Sequence, residues 1–327
     1  MAMACAAAPQ RFEYSEVAMG VRARIVLYAP DQASAEKAAR AAYDRIACLE
    51  QIMSDYRPDS EIMRLCAQAG GPPVKVSPEL LFILRKSKEL ARRSDGAFDP
   101  TVGPVVKLWR KARKSGVLPA RQEIDAARKL VGWPKMRIDA QASTVQIMVT
   151  GMQLDLGGIA KGYACDEAQR ILKGQGITSA LVEMGGDIVV SGPPPGKKGW
   201  EIEAANIEHP TSNIQHPTSS RQPSTINHQP STILLSNCAI SSSGDTEQFV
   251  EIDGVRYSHI VNPKTGIGLT DRIAVTIIAP NGATSDGLST ALSVLGAKRG
   301  RTLASTFPGV SAHIRRAWEF EQDAQDR

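Results

Sequence analysis

Eight residues near the middle of the chain, Asp155-Leu156-Gly157-Gly158-Ile159-Ala160-Lys161-Gly162, set a carboxylate, paired glycines and a lysine side by side. Residues 152–156 read as a buried strand. Ala160, Ala164, Ala168, Ile171 and Leu172 then recur at helical spacing. Gly157 and Gly158 remove side chains where the backbone must bend or let a ligand approach. Amides at a helix start are unpaired and carry partial positive charge, so the turn suits a phosphate or another anion. Asp155 just before it can take a hydroxyl, an amide or a metal-bound water. A tight strand-to-helix turn with Lys161 in solvent accounts for the same residues, and the octapeptide alone does not choose.

A second pair lies far along the chain. Asp286 and Thr290 are i and i+4 on a helix expected over residues 285–295, so their oxygens share one side. Magnesium prefers such hard oxygens beside phosphates. An ion bridging two phosphates would neutralise charge that develops as the bond between them breaks. Helix position alone favours a plainer account, in which the aspartate favours the dipole and the threonine bonds back to its own helix. His259 sits beside Ile260 and Val261, and a lone histidine of that kind is more often structural than catalytic.

Composition narrows the class. The chain has 327 residues, 42% apolar and 22% charged, which is ordinary for a soluble globular protein with a sizeable core. Its net charge of +5 supports an anionic ligand weakly, and nucleic acid not at all by itself. Aromatic content of 5% is too thin for a stacking platform that reads single strands. Cys5, Cys48, Cys66, Cys165 and Cys238 form no C-x-x-C pair, which argues against a disulfide framework or a zinc site. The first ten residues lack the basic and apolar regions of an export signal, although Ala4-Cys5 also suits a signal remnant. No run approaches the length of a membrane span.

The elements that must position these groups follow from patterning. Strands are expected over 22–28, 137–140, 144–149, 180–184, 188–190, 200–204, 249–252, 273–279 and 309–315, with order also returning over 233–240. Helices are expected from Asp31 to Met53, from Ser77-Pro78 to about Arg93, beyond the 96–103 loop to Trp109, and over 124–131. Residues 206–233 break the pattern with NIEHPTS, NIQHPTS, SRQPSTI and NHQPSTI. Proline in every unit forbids a helical heptad. So polar a stretch cannot bury enough area to offset ordering entropy, and it is expected to be a disordered insertion. A metal site shared by His209, His216 and His228 is the minor alternative.

In chain order, Met19-Gly20, the Tyr56 loop, Gly96-x-Phe98-Asp99-Pro100-Thr101, Asp155 through Tyr163, Gly185-Gly186-Asp187, Ser243-Gly244, His259 and Asp286-Gly-Leu-Ser289-Thr290-Ala resemble the ApbE family. Those are FAD:protein FMN transferases, and the resemblance runs from about residue 19 to 314. It implies a single α+β flavin-transferase domain, related to the T-fold, with mixed or antiparallel sheets and packed helices. That domain is expected over residues 12–316, after a disordered segment or signal remnant at 1–11 and before a frayed tail at 317–327. The implied reaction cuts FAD at its pyrophosphate with Mg2+ and attaches FMN to a threonine or serine of an acceptor protein. By motif, Met19, Tyr56, Ala97, Phe98, Asp99, Asp155 and Lys161 correspond to FAD contacts. Gly158, through its carbonyl oxygen, corresponds to a metal ligand, as do Asp286 and Thr290, with Ser289 nearby. Asp286 is thereby a catalytic candidate. His259 matches the family's Ser-His-Ile segment, which makes it an FAD neighbour and the candidate base for the acceptor hydroxyl. Family members commonly act outside the cytoplasm, so a periplasmic or extracytoplasmic location is expected over a cytoplasmic one. Membrane association would come through an N-terminal lipid anchor or membrane-bound acceptors.

Four positions depart from the family pattern. Val21 and Ser242 stand where threonine is usual, Glu183 where asparagine is frequent, and Asn262 where aspartate precedes the proline. Serine keeps the hydroxyl; the Val21 and Asn262 changes fall in the flavin's surroundings. Rossmann and P-loop readings fail, because neither G-x-G-x-x-G nor G-x-x-x-x-G-K-[ST] occurs. Two other functions use the same residues: an FAD pyrophosphatase with water as acceptor, and a flavin carrier without catalysis. A metal at the pyrophosphate disfavours the carrier.

Overall fold

The computed structural model describes residues 8–204, 231–243 and 249–316. Expectations for residues 1–7, for the repeats through Pro230 with their histidines, for Gly244 and for the tail after Arg316 lie outside them. The strands in chain order are β1 (Gln10–Ala18), β2 (Val21–Ala29), β3 (Val74–Lys75), β4 (Met136–Asp139), β5 (Thr144–Ile147), β6 (Ala180–Met184), β7 (Asp187–Val190), β8 (Trp200–Ala204), β9 (Ser231–Leu235), β10 (Cys238–Ser243), β11 (Phe249–Ile252), β12 (Val255–Ser258), β13 (Ile273–Ala279) and β14 (Ser311–Arg316). The helices are α1 (Gln32–Met53), α2 (Glu61–Ala67), α3 (Pro78–Arg93), α4 (Gly103–Ser115), α5 (Arg121–Lys129), α6 (Ala160–Gly174) and α7 (Gly282–Ala304).

Seven strands form one sheet in the order β1-β2-β6-β7-β10-β13-β14, and every neighbouring pair is antiparallel. The odd-numbered residues of β2, Ala23, Ile25, Leu27 and Ala29, face the main core, which α1, α6 and α7 cover. Its even-numbered Val26 joins Leu181, Val190, Ile240 and the β8–β9 hairpin on the opposite face. Burial on both faces is why residues 25–27 read as a continuous apolar run. A separate wing gathers α4, α5 and the β11–β12 hairpin around Trp109 and Val261.

Local chemistry sets the boundaries. Asp31 caps α1 by accepting from Ser34 N at 2.8 Å, and Ser77 caps α3 through Leu80 N at 3.2 Å. Met19 and Gly20 form the two-residue β1–β2 turn at φ 50° and 76°, the positive-φ pair that suits the twist of a hairpin.

Several boundaries differ from the patterned ones. β1 begins at Gln10, inside the stretch expected to be disordered, because all nine of its residues pair with β2. Residues 152–156 are buried but make only an isolated bridge, Val102 to Gln153, so they are not a strand; the backbone there meets the 97–103 loop instead of a sheet neighbour. β9 begins at Ser231, within the last repeat, because Ser231, Thr232 and Ile233 pair with β8. α4 continues past Trp109 to Ser115, and α7 runs from Gly282 to Ala304 with a break at Gly296, φ 72°. Among the described residues no helix is long and apolar enough to cross a membrane.

Candidate active site

The first turn of α6 lies against the first turns of α7, and two glycines permit it. A Cβ on Gly162 would sit inside contact distance of the Gly282 carbonyl oxygen and 2.7 Å from Asp286 Cβ. Gly162 N–H donates to the Asp286 carboxylate at 3.0 Å. One turn further along α7, Thr290 faces Gly158, where a Cβ would lie 2.7 Å from Thr290 Oγ1. The glycine-rich turn and the Asp286–Thr290 face therefore close on each other. Neither plainer account of the pair describes this arrangement. The first amides of α7 are held by Asn281, which accepts from Thr284 N at 2.9 Å, and by Asp166, which accepts from Gly282 N and Ala283 N at 2.6 and 2.9 Å. Ser289 and Ser293 bond back along the helix, both at 2.8 Å, whereas Thr290 turns toward Gly158. Ser289 also meets Ser243 at 2.6 Å, tying α7 to the end of β10.

Charge is concentrated at this junction. Lys161 is not in solvent: its ammonium lies 2.7 Å from Asp187 and 3.8 Å from Asp286. Burial works against that ammonium, but Asp286 and Asp187 outweigh it and hold the lysine charged. Burial, then the neighbouring Asp187, pushes the Asp286 carboxyl up to about 7. Asp187, the last residue of the Gly185-Gly186-Asp187 motif, thus gains a definite role as the lysine's partner.

Asp155 joins this junction to a second cluster. One oxygen accepts from Gly157 N at 2.7 Å, and the other pairs with Arg110 of α4 at 2.9 Å. Arg110 also pairs with Asp55 at 2.5 Å, and its guanidinium stacks 4.1 Å from the Tyr56 ring centroid. Burial and the Asp55 charge raise Asp155, against the pull of Arg110. Tyr56 itself is 74% exposed, an aromatic face held out at the rim. Sequence patterning gave no role to Arg110 or Asp55, since a basic residue among Lys107, Lys111 and Lys114 reads as solvated helix surface.

The remaining expected contacts are placed around these clusters. Pro100 O accepts from Asp155 N at 2.8 Å, so the 97–103 loop adjoins Asp155. Within that loop Ala97, Phe98 and Asp99 are buried. Asp99 accepts from Thr101 N (2.9 Å), Thr101 Oγ1 (2.6 Å) and Trp133 N (2.9 Å), so its side chain is engaged in bracing the loop. Met19 lies in the hairpin turn, and its neighbour Val21 packs against Gly185, one turn from Asp187. His259 is half-buried in a bend after β12, in a segment that packs on α4 through Tyr257 and Trp109, whose rings are 4.9 Å apart.

The oxygens of Asp286 and Thr290 and the backbone of Gly158 form a hard-donor set that fits magnesium better than zinc. Among the described residues no group of three or more His, Cys, Asp or Glu is arranged to hold a metal. A single carboxylate beside a glycine-rich helix start is the donor set expected when a substrate's phosphates complete the coordination.

Comparison with known proteins agrees with this arrangement. The ApbE family model matches residues 19–314. The FAD:protein FMN transferase of Treponema pallidum is 33% identical over 311 residues, covering 92% of this chain and 83% of the relative. That of Vibrio cholerae is 33% identical over 262 residues, covering 78% and 73%. Among solved structures, the apo flavinyl transferase ApbE of Pseudomonas stutzeri superposes with a TM-score of 0.77 at 29% identity, covering 93% of this chain and 90% of that one. The ApbE protein of Thermotoga maritima gives 0.78 at 30% identity, covering 96% and 99%. The match spans the hairpin turn of Met19, the Asp155–Lys161 turn and the Asp286–Thr290 face, and on it this chain belongs to the ApbE family.

Proposed function

We propose that this chain is an FAD:protein FMN transferase that joins FMN through a phosphoester to a threonine or serine of an acceptor protein. The observation that carries the proposal is the closure of the Gly157–Gly158 turn onto Asp286 and Thr290. It puts the Gly158 backbone and the start of α6 beside the hard oxygens of Asp286 and Thr290, as a pyrophosphate with its counter-ion requires. The names of the relatives support the same reading.

In this reaction the acceptor hydroxyl oxygen bonds to the FMN phosphorus, the bond from that phosphorus to the bridging oxygen breaks, and AMP leaves. Gly158, Asp286 and Thr290 would hold Mg2+, with Ser289 nearby, its hydroxyl donating to the Asp286 backbone carbonyl at 2.8 Å. When bound, the ion supplies charge neutralisation for the pyrophosphate. Lys161, fixed by Asp187, adds a second positive charge at the same turn. Asp155 and Arg110 hold the Tyr56 rim that would receive the flavin or adenine ring. His259 takes the acceptor proton, since a hydroxyl is a poor nucleophile at neutral pH.

Incubation of the full chain with FAD, magnesium and a threonine-bearing acceptor, read as a covalent FMN mass, tests the proposal. His259→Ala should cut transfer by roughly 10²–10⁴, with far less effect on FAD affinity. Asp286→Ala should abolish magnesium-dependent turnover while leaving much of the FAD binding. Rapid release of free FMN with no labelled acceptor would instead establish a pyrophosphatase.

A further inference from the structure

We propose that the outer face of α4 docks an acidic segment of the acceptor protein beside the hydroxyl that receives FMN, a proposal that rests on the transferase reading above. Residues 100–122 contain six basic residues and no acidic one. Lys107, Lys111 and Lys114 are exposed along one side of α4 and line a cleft of about 430 Å³. None of the three has an acidic partner among the described residues. The neighbouring helix differs: in α5, Arg121 and Arg128 both lie near Asp125, at 3.8 and 3.3 Å. A run of cations kept without counter-ions is a surface complementary to anions.

The place of the strip gives it meaning. Arg110 lines the same cleft and, on its other side, pairs with Asp155 and stacks on Tyr56. The strip is therefore continuous with the candidate site. Past the far end of α4, Val117 is 66% and Leu118 41% exposed, so the cationic track ends in an apolar contact. At 1.5 Å rise per residue, Lys107 to Lys114 spans about 10 Å. Within it, Lys107 and Lys111 are ~6 Å apart along the axis, close to the ~6.6 Å between same-face side chains of an extended peptide. The strip's continuity with the site that must receive the acceptor hydroxyl favours a peptide segment over a lipid surface. The occupant assigned is a segment with Asp or Glu at alternate positions and an apolar residue beyond them.

Fluorescein-labelled peptides test this on the full chain. One carries a threonine flanked by aspartates at alternate positions, and the other has asparagines in their place. By fluorescence anisotropy at low ionic strength, the acidic peptide should bind roughly tenfold more tightly, from two or three exposed pairs acting together, and the gap should close near 0.5 M salt. The triple variant K107E/K111E/K114E should lose the preference while FAD affinity, read by flavin fluorescence, stays unchanged; K107Q/K111Q/K114Q repeats the test without charge reversal. Equal binding of both peptides by the wild type would overturn the proposal, as would a preference that survives in either triple variant. So would loss of FAD affinity in the variants, which would assign the strip to FAD. Anionic phosphatidylglycerol vesicles that bind the strip and are not displaced by the acidic peptide would assign it to a membrane. If the acidic peptide docks but never acquires FMN, the transferase reading fails and the docking surface stands.

Discussion

Replacing Gly162 by alanine should force α6 and α7 apart where they meet. The added methyl would collide with the Gly282 carbonyl and lie 2.7 Å from Asp286 Cβ, and neither is the end of a flexible side chain. Gly282 cannot yield freely, because a Cβ at that position would itself lie 2.8 Å from Val189 Cγ2. Overpacking of this kind costs about 1–3 kcal/mol, and a backbone obstacle argues for the upper end. Alanine's better helix propensity returns roughly 0.5–1 kcal/mol. The net loss is about 2 kcal/mol, or a melting point lower by roughly 3 °C in a domain of this length. Turnover should suffer more, since the Gly162 amide holds Asp286 at 3.0 Å. A displacement near 1 Å there can cost on the order of 10²-fold. Gly174, at the other end of α6, is the control: nothing lies within 4 Å of where its Cβ would be. Gly174→Ala should be neutral or stabilise by roughly 0.4–1 kcal/mol. Thermal melts and transfer assays on both variants decide. A Gly162→Ala protein that melts and turns over like the wild type would refute the view that this junction fixes Asp286.

Three further outcomes are expected. Arg110→Met leaves the buried Asp55 and Asp155 carboxylates facing each other, so denaturant unfolding should show a loss of about 3–5 kcal/mol and FAD affinity should fall; wild-type stability would refute the pairing. Because Ala204 and Ser231 are register partners, excising the residues between them and closing with Asn-Gly should leave the melting point and FAD affinity nearly unchanged, as loop closure varies by only about 0.6 kcal/mol per doubling. A clear loss would mean the removed residues contribute to the domain. Burial lifts Asp166 to about 6, against the lowering by Ala283 and Gly282 amides. Its folded value lies above the unfolded one of about 3.9, so the folded state keeps a proton the unfolded state has lost, and stability falls as pH rises from about 4 to 6. Asp166→Asn removes that slope, shifting relative stability toward the variant by up to roughly 3 kcal/mol between those limits; a difference independent of pH would refute it.

How legible the molecule was depends on what each residue answers to. β13 and β11 match their patterned limits because a β-branched or alternating run is a local signal. The α3 boundaries follow from Ser77, Pro78 and the basic last turn for the same reason. Residues 152–156 carry a strand's apolar pattern without a strand's partner, because burial requires apolar residues whether or not a neighbour supplies a ladder. β1 was missed at Gln10 since its exposed edge alternates polar with partly buried residues, and only pairing with β2 orders it. Within the site, the Asp155–Lys161 turn and the Asp286–Thr290 face were visible as spaced motifs, but the choice of partners was not. Nothing local distinguishes Arg110 from Lys111, yet rotation about the α4 axis turns one toward Asp155 and the other to solvent. Asp99 shows the converse: its motif stands out in sequence, while its oxygens serve Thr101 and Trp133.

The charges around the site explain why a cation belongs to the proposed chemistry. Asp187 and Asp286 share Lys161, Asp166 adds its charge beside Asp286, and Asp55 and Asp155 share Arg110. With all five carboxylates ionised, Lys161, Arg110, Arg113 beside Asp155 and Lys86 beside Asp166 would oppose them. Burial opposes that ionisation and raises Asp155, Asp166 and Asp286, with Asp55 adding repulsion at Asp155 and Asp187 at Asp286. A pyrophosphate brought to the α6 turn adds negative charge, and the helix start offers only about half a positive charge in return. Lys161 adds one positive charge there, but shares it with Asp187 and Asp286. A divalent ion would offset the charge a pyrophosphate brings, and Asp286, pushed up to about 7, would give up its proton to that ion. A pyrophosphate would therefore meet less repulsion at this junction with a cation beside it than without one.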